Sequence, residues 1–228
     1  MDTTPLADSI AIVRDEISIA LADSPRLIRA AHRLRYQVYC VERGFEAGHN
    51  GLEIDEFDCH SRHVVLQQRR TGQILGTVRL VLPLRESLHD SFPVQRLCDE
   101  TVLPQIPLLT TAEVSRFAIS KYRNGMSPAA VPLMRLGLVQ GIIRLSNELG
   151  LTHWLAVMER SLLRLLESTA IHFQPFGPLV EHHGTRQPAY VNLRTMLSRM
   201  SSEQPLIWDF LTDGGKLPLT RPEYLLAA

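Results

Sequence analysis

Short apolar, β-branched runs alternate along this chain with two longer segments whose apolar residues recur at helical spacing, and that alternation leaves few ways to fold it. Ile17 to Ala22 is one such run, and Asp23-Ser24-Pro25 behind it supplies a capping side chain followed by proline at a first helical position. Leu27, Ala31, Leu34, Val38 and Val41 then fall on one helical face and leave Arg26, Arg29, Arg33 and Gln37 on others. Pro25 to about Glu42 is therefore predicted as one amphipathic helix, ended by Gly44. His63 to Gln68 and Ile74 to Leu82 read as a hairpin turning near Thr71-Gly72, and Thr110 to Ser120 reads as the next strand. Lys121-Tyr122-Arg123-Asn124-Gly125 makes a basic turn. Met134, Leu138, Ile142, Leu145 and Leu149 form the stripe of a second long helix, which Pro132 delays past Ser127-Pro128 and Gly150 closes. His153 to Met158 returns to strand character, Ser161 to Thr169 is helical, and Leu179 to His182 and Tyr190 to Leu193 are closing strands. The order β, α, hairpin, β, α, β, α, β, β predicts an α/β fold, a mixed sheet with helices on its faces, because each apolar face must be buried against another.

Balance and size narrow the function classes. The chain has 24 basic and 24 acidic side chains, so no global charge draws it to nucleic acid or an anionic membrane. Its 228 residues, 45% of them hydrophobic, suit one large domain, expected over residues 1–200, with a boundary near the polar stretch Ser198 to Gln204 and a tail over 201–228 carrying Trp208, Phe210 and Tyr224. Cys40, Cys59 and Cys98 are odd in number and widely spaced, which suits reduced thiols. The first residues lack the order of a signal peptide, and no apolar run approaches the roughly 18 residues of a membrane span. A cytoplasmic protein without a transmembrane segment is expected.

Four clusters interrupt this pattern: Leu34-Arg35-Tyr36-Gln37-Val38-Tyr39 with Phe45 beyond it, Glu53-Ile54-Asp55-Glu56-Phe57-Asp58, Gly76-Thr77-Val78-Arg79-Leu80, and Glu113-Val114-Ser115-Arg116-Phe117. In an extended strand Glu113, Ser115 and Phe117 share one face while Val114 and Arg116 take the other. Charges inside apolar strands are either structural ion pairs or parts of a site.

In that order and spacing the four clusters resemble the signature of the acyl-homoserine-lactone synthases, within the wider N-acetyltransferase-like (GNAT) superfamily. N-acyl amino acid synthases are near cousins. Tyr36 to Glu46, Thr152 to Glu159 and the segment from Pro175-Phe176-Gly177-Pro178 to His183-Gly184 are similar to the acyltransferases associated with PEP-CTERM and exosortase systems. The resemblance spans roughly residues 16 to 195. It implies a GNAT-like mixed, mostly antiparallel sheet with helices on both faces, and an enzyme that moves an acyl group from an acyl-carrier-protein or coenzyme A thioester to the amine of a small polar acceptor such as an amino acid. No tightly bound cofactor is expected.

Amide formation from a thioester needs an uncharged amine, a proton acceptor and donors for an oxyanion. The resemblance implies Glu113 as the base, its carboxyl raised by desolvation, with Ser115 orienting it and Arg116 beside it. It further implies that Arg35, Tyr39, Phe45, Asp55, Asp58, Arg79 and Trp154 line the substrate site. Phe45 stands where lactone synthases have tryptophan and Tyr39 where they have phenylalanine, which argues against S-adenosylmethionine as co-substrate, although a lactone-signal synthase and a non-catalytic acyl-binding protein are alternatives.

The turn from Lys121 to Ser127 bears on the donor. Coenzyme A users of the superfamily carry Arg or Gln, two residues, Gly, one residue, then Gly or Ala, where backbone amides cradle pyrophosphate. Here Tyr122 replaces the Arg or Gln and Ser127 the last small residue, leaving room for an acidic carrier protein meeting Lys121, Arg123 and Gly125, and Arg135 or Arg144 as further contacts. Cys59, His60, His63, His182 and His183 do not make a metal set, because no second close pair completes four ligands.

Overall fold

The computed structural model describes residues 5–217. Eight strands form one mixed sheet, β1 Ile17–Leu21, β2 Ser61–Gln68, β3 Ile74–Val81, β4 Thr111–Ile119, β5 His153–Met158, β6 Gln174–Pro175, β7 Val180–Glu181 and β8 Thr185–Asn192, in the order β1-β2-β3-β4-β5-β8-β6, with β7 pairing β8. Among the described residues six α-helices accompany it: α1 Leu6–Glu16, α2 Pro25–Arg35, α3 Met134–Glu148, α4 Arg160–Glu167, α5 Leu193–Glu203 and α6 Pro205–Thr212. The chain divides into two compact units, one comprising the residues up to Leu80 with Arg116–Ile142, the other Val81–Ser115 and the residues from Ile143 onward.

In the first unit β1 pairs antiparallel with β2, Ile17 opposite Gln68 and Leu21 opposite Val64. Helix α2 begins as its sequence dictates: the Ser24 hydroxyl accepts from Leu27 N–H at 3.4 Å and proline sits in the first turn. Ala31 of α2 packs with Ala22 and Val65, and Leu27 and Ile28 pack against that cluster. On α3 a Cβ added at Gly141 would meet Val64 Cγ1 at 2.3 Å, and one at Gly137 would meet Leu66 at 3.2 Å. Successive β2 residues point to opposite faces, so α2 covers the Val65 face and α3 the Val64 and Leu66 face. Burial on both faces suits the consecutive apolar residues Val64-Val65-Leu66 of β2 and the largely apolar β3.

The predicted helix to Glu42 is corrected: the α-helix stops at Arg35, and Tyr36–Glu42 forms a π-helix. A wider turn keeps the apolar spacing approximately right while changing the backbone bonding, so periodicity does not distinguish the two. Gly44, at φ +65°, ends the segment, and Phe45 N–H donates back to the Tyr39 carbonyl at 2.8 Å.

In the second unit β4 pairs parallel with β5 only over Thr111 to Glu113, opposite His153 to Leu155. β5 pairs antiparallel with β8 over its whole length, His153 opposite Asn192. Four short 3-10 helices occupy much of the stretch from 88 to 110. Helix α5 runs through the polar stretch read as a boundary, its N-cap made by the Asn192 side chain accepting from Thr195 N–H at 2.9 Å. Of the predicted tail, Trp208 and Phe210 lie on α6, while residues 218–228, including Tyr224, fall outside the described residues.

Candidate active site

Three guanidiniums of the first unit, Arg35, Arg79 and Arg116, share the carboxylates of Glu46, Glu53, Asp55 and Asp58. The 3-10 helix Glu56–His60 fixes two of these acids: Asp55 caps it by accepting from Phe57 N–H at 3.0 Å, and Asp58 accepts from Asp55 N–H at 2.8 Å. Arg35, fully buried on the last turn of α2, reaches Asp58 through both terminal nitrogens at 2.6 and 3.0 Å and hydrogen bonds Glu53 through Nε. Arg79 on β3, also fully buried, donates to Asp55 at 2.5 Å and Asp58 at 3.0 Å. Arg116 reaches Glu53 at 2.9 Å, Asp55 at 3.0 Å and Glu46 at 3.3 Å.

The electrostatics follow from this sharing. Burial alone would raise the Asp58 and Asp55 carboxyls, but hydrogen bonds and charge outweigh it and hold both below the ordinary carboxylate range, through His32, Arg35 and Arg79 for Asp58 and through Arg79 and Arg116 for Asp55. Burial opposes charge on Arg35 and Arg116 as well. Their carboxylate neighbours win, and both stay protonated beyond the usual arginine range. His63, 3.5 Å from Asp58, is pushed down to about 3 by burial and then by the Arg35 charge.

Arg116 also has an unusual backbone. Its φ of +50° is in the left-handed region, inside a strand and on a residue with a Cβ, a conformation costing of order 1–3 kcal/mol. The side chain's three carboxylate partners hold it there. Tyr39 of the π-helix adds to the restraint: its hydroxyl donates to the Phe117 carbonyl at 3.2 Å, and its ring lies 5.6 Å from the Arg116 guanidinium carbon. Burial raises the Tyr39 phenol, with Arg116 pulling the other way, so it is a donor at neutral pH. Phe45 is half-buried, 5.6 Å from Arg43. Val114 to Phe117 of β4 are half-buried, whereas Thr111 to Glu113 are buried.

In the second unit Glu113 is 2% exposed and its Oε2 accepts from Val94 N–H at 2.8 Å, tying β4 to the 3-10 helix Pro93–Arg96. Its charge adds to burial in raising the Cys98 thiol. Ser115, two residues on, is half-buried. Trp154 is 1% exposed and its indole N–H donates to Ser146 at 2.8 Å, so this residue packs the interior of its unit.

Beyond β4, Lys121 is exposed, Arg123 donates to the Ser120 carbonyl at 3.0 Å and Gly125 is left-handed at φ +77°. Glu42 accepts from the Ser120 hydroxyl at 2.8 Å and from Lys121 N–H at 3.2 Å. Sequence reasoning passed over Glu42, Glu46 and the bridging role of Glu53. Glu53 had a signal, since it opens the Glu-x-Asp-x-x-Asp motif; Glu42 and Glu46 lie within the Tyr36 to Glu46 motif, where nothing set them apart from their neighbours.

His32, Asp58 and His63 bring ligand atoms within 4.8 Å of one another. The carboxylate is already engaged, Oδ1 by Arg35 and Arg79 and Oδ2 by Arg35 and Asp55 N–H, and two guanidiniums would repel a cation, so the group does not fit a metal. Cys59 and His60 lie 3.3 Å apart and His182 and His183 4.5 Å apart by ring centroid, each pair made of sequence neighbours.

Residues 34–132 match the acetyltransferase (GNAT) domain family. No curated protein matches the chain by sequence. Among solved structures, the acyl-homoserine-lactone synthase LasI is similar with a TM-score of 0.61 and 20% identity, over 77% of this chain and 89% of that one. The coenzyme A-dependent acyl-homoserine lactone synthase BjaI gives 0.62 and 20% over 89% and 90%. FeeM, an N-acyl amino acid synthase from uncultured soil microbes, gives 0.54 and 16% over 83% and 98%. At these identities the likeness is one of fold. The matched stretch, 34–132, takes in the π-helix, the ion-pair cluster, all of β4 and the turn beyond it.

Proposed function

We propose that the chain is an N-acyltransferase, moving a fatty acyl group from an acyl-carrier-protein or coenzyme A thioester to the amine of a small polar acceptor such as an amino acid. The observation that carries this reading is strand β4, whose Arg116 is held left-handed while regular pairing with β5 covers only Thr111 to Glu113. Backbone N–H groups in such an interrupted strand suit the oxyanion of a tetrahedral intermediate. Glu113, on the same strand, takes the proton of the attacking amine, directly or through water, and Ser115 assists it. Arg116 is a positioning residue, since its charge is committed to three carboxylates. Arg35, Arg79, Asp55 and Asp58 brace the acceptor side, with Tyr39 and Phe45 bordering it, and Lys121, Arg123 and Gly125 belong to the donor side. The three free cysteines suit a reducing cytoplasm. The motifs at Tyr36 to Glu46 and Thr152 to Glu159 support a place beside the PEP-CTERM and exosortase-associated acyltransferases.

Purified protein offered acyl carrier thioester or acyl-coenzyme A with mixed amino acids, followed by mass spectrometry, should yield acyl amino acids. A lactone formed only with S-adenosylmethionine would replace this reading with signal synthesis. Tight thioester binding without turnover would replace it with an acyl-binding protein.

A further inference from the structure

Between β4 and α3 the chain passes through a turn with a left-handed glycine, Gly125, ahead of a helix, and two of its backbone N–H groups, those of Lys121 and Ser127, donate to anionic groups. Two of the chain's own carboxylates are seated in it. Glu42, last residue of the π-helix, accepts from Lys121 N–H at 3.2 Å and from the Ser120 hydroxyl at 2.8 Å; Ser120 Oγ in turn accepts from Tyr122 N–H at 3.1 Å. Glu16, last residue of α1, accepts from Ser127 N–H at 2.9 Å through Oε2. The turn is thus closed at both ends by acids from elements far away in sequence. Around it the cations differ in kind: Lys121 and Arg70 are exposed side chains, and Arg70 Nη2 sits 2.9 Å from where a Cβ on Gly125 would lie.

We infer that Glu16 and Glu42 occupy the place of an anionic ligand in this turn, so that the enzyme takes its acyl donor as a pantetheine thioester on an acidic carrier protein and discriminates against the nucleotide pyrophosphate of coenzyme A. This rests on the acyltransfer reading for the identity of the donor. A pyrophosphate entering the turn would have to displace two hydrogen-bonded carboxylates or lie beside them as like charge. A carrier protein needs neither, because its pantetheine arm brings one bridging phosphate attached to the carrier, and its acidic surface meets Lys121 and Arg70 on long, exposed side chains.

Isothermal titration calorimetry on the full chain tests this, with coenzyme A, pantetheine and inorganic pyrophosphate as probes against the unaltered protein, Glu42→Gln and Glu16→Gln/Glu42→Gln. Glutamine keeps an accepting oxygen and removes the charge, and circular dichroism checks folding. The unaltered protein should bind coenzyme A within about twofold of pantetheine and give no pyrophosphate signal. The double variant should gain about tenfold or more for coenzyme A and for pyrophosphate, with pantetheine unchanged, the scale of one recovered charge-assisted hydrogen bond. Coenzyme A binding at least tenfold tighter than pantetheine in the unaltered protein would overturn the inference, and so would a folded double variant with no gain. Should the double variant fail to fold, the same criteria apply to Glu42→Gln alone. Absence of acyl transfer from every thioester would sink the acyltransfer reading, while the pyrophosphate measurements still report on the turn.

Discussion

Replacing Asp58 with Asn tests whether the buried ion cluster stabilises the first unit. The carboxylate accepts two bonds from Arg35, one from Arg79 and one from Asp55 N–H, and its side chain is 6% exposed. The amide has one oxygen and one NH2. Whichever way it turns, the NH2 faces donors: Arg35 and Asp55 N–H on one side, Arg35 and Arg79 on the other. Breaking one partner out of a buried charge network costs about 3–5 kcal/mol. The low end applies, because Arg35 keeps Glu53 and Arg79 keeps Asp55. About 3 kcal/mol lost from a chain of this size lowers the melting temperature by roughly 6–12 °C. Thermal denaturation followed by circular dichroism at pH 7 would measure it, and the loss should persist in 1 M salt, since screening acts weakly on buried pairs. A loss below about 1 kcal/mol, or one erased by salt, would show that the cluster behaves as a set of solvated surface pairs and refute the reasoning.

Other expectations concern catalysis, pH and packing. Glu113→Gln keeps an oxygen for Val94 N–H, so the fold should stand while turnover falls about 100-fold or more; unchanged turnover would remove Glu113 from the chemistry. His63 titrates at about 3 in the folded chain against about 6.5 when unfolded, so the unfolded state binds more protons between those values. Its contribution is complete above the upper value and declines as pH falls through the window, by up to about 1.4 kcal/mol per pH unit; denaturant titrations of His63→Gln from pH 6 to 4 should show a shallower slope, and identical slopes would count against it. Asp58, held below the ordinary range, acts in a lower window, its stabilisation present above about pH 4 and lost on further acidification. Gly141→Ala drives a methyl into Val64 and Ile19 and should cost about 1–3 kcal/mol in urea unfolding, whereas a neutral result would mean that α3 can shift away from β2.

Much of this architecture was legible locally. Strand β5 begins and ends where its apolar run does, and the Ser24-Pro25 start of α2 follows from side-chain chemistry within four residues. Helices α1, α5 and α6, strand β6 and the first half of β8 escaped. Helix α1 has only a weak apolar stripe among its eleven residues, β8 hides its first half behind Thr185-Arg186-Gln187 and Pro188, and α5 carries serines that read as a boundary. Pro188 has no N–H to give the sheet, while its carbonyl accepts from Phe176 N–H at 3.0 Å. The charged motifs stood out because acids and arginines inside apolar strands are costly to bury without partners.

By itself the sequence determined where helices and strands alternate, and that Arg35, Asp55, Asp58, Arg79, Glu113 and Arg116 interrupt apolar segments. Which acid meets which base was decided only by tertiary structure. Arg35 and Glu53 are 18 residues apart, Arg116 and Glu53 are 63 apart, and Glu42 and Ser120 are 78 apart. Periodicity reports interactions over a few residues, whereas these pairings exist only after helices and strands have packed and removed water from between them. The left-handed Arg116 has the same origin, for no local preference of arginine favours that conformation and the carboxylates that hold it come from the segment Glu46 to Asp55.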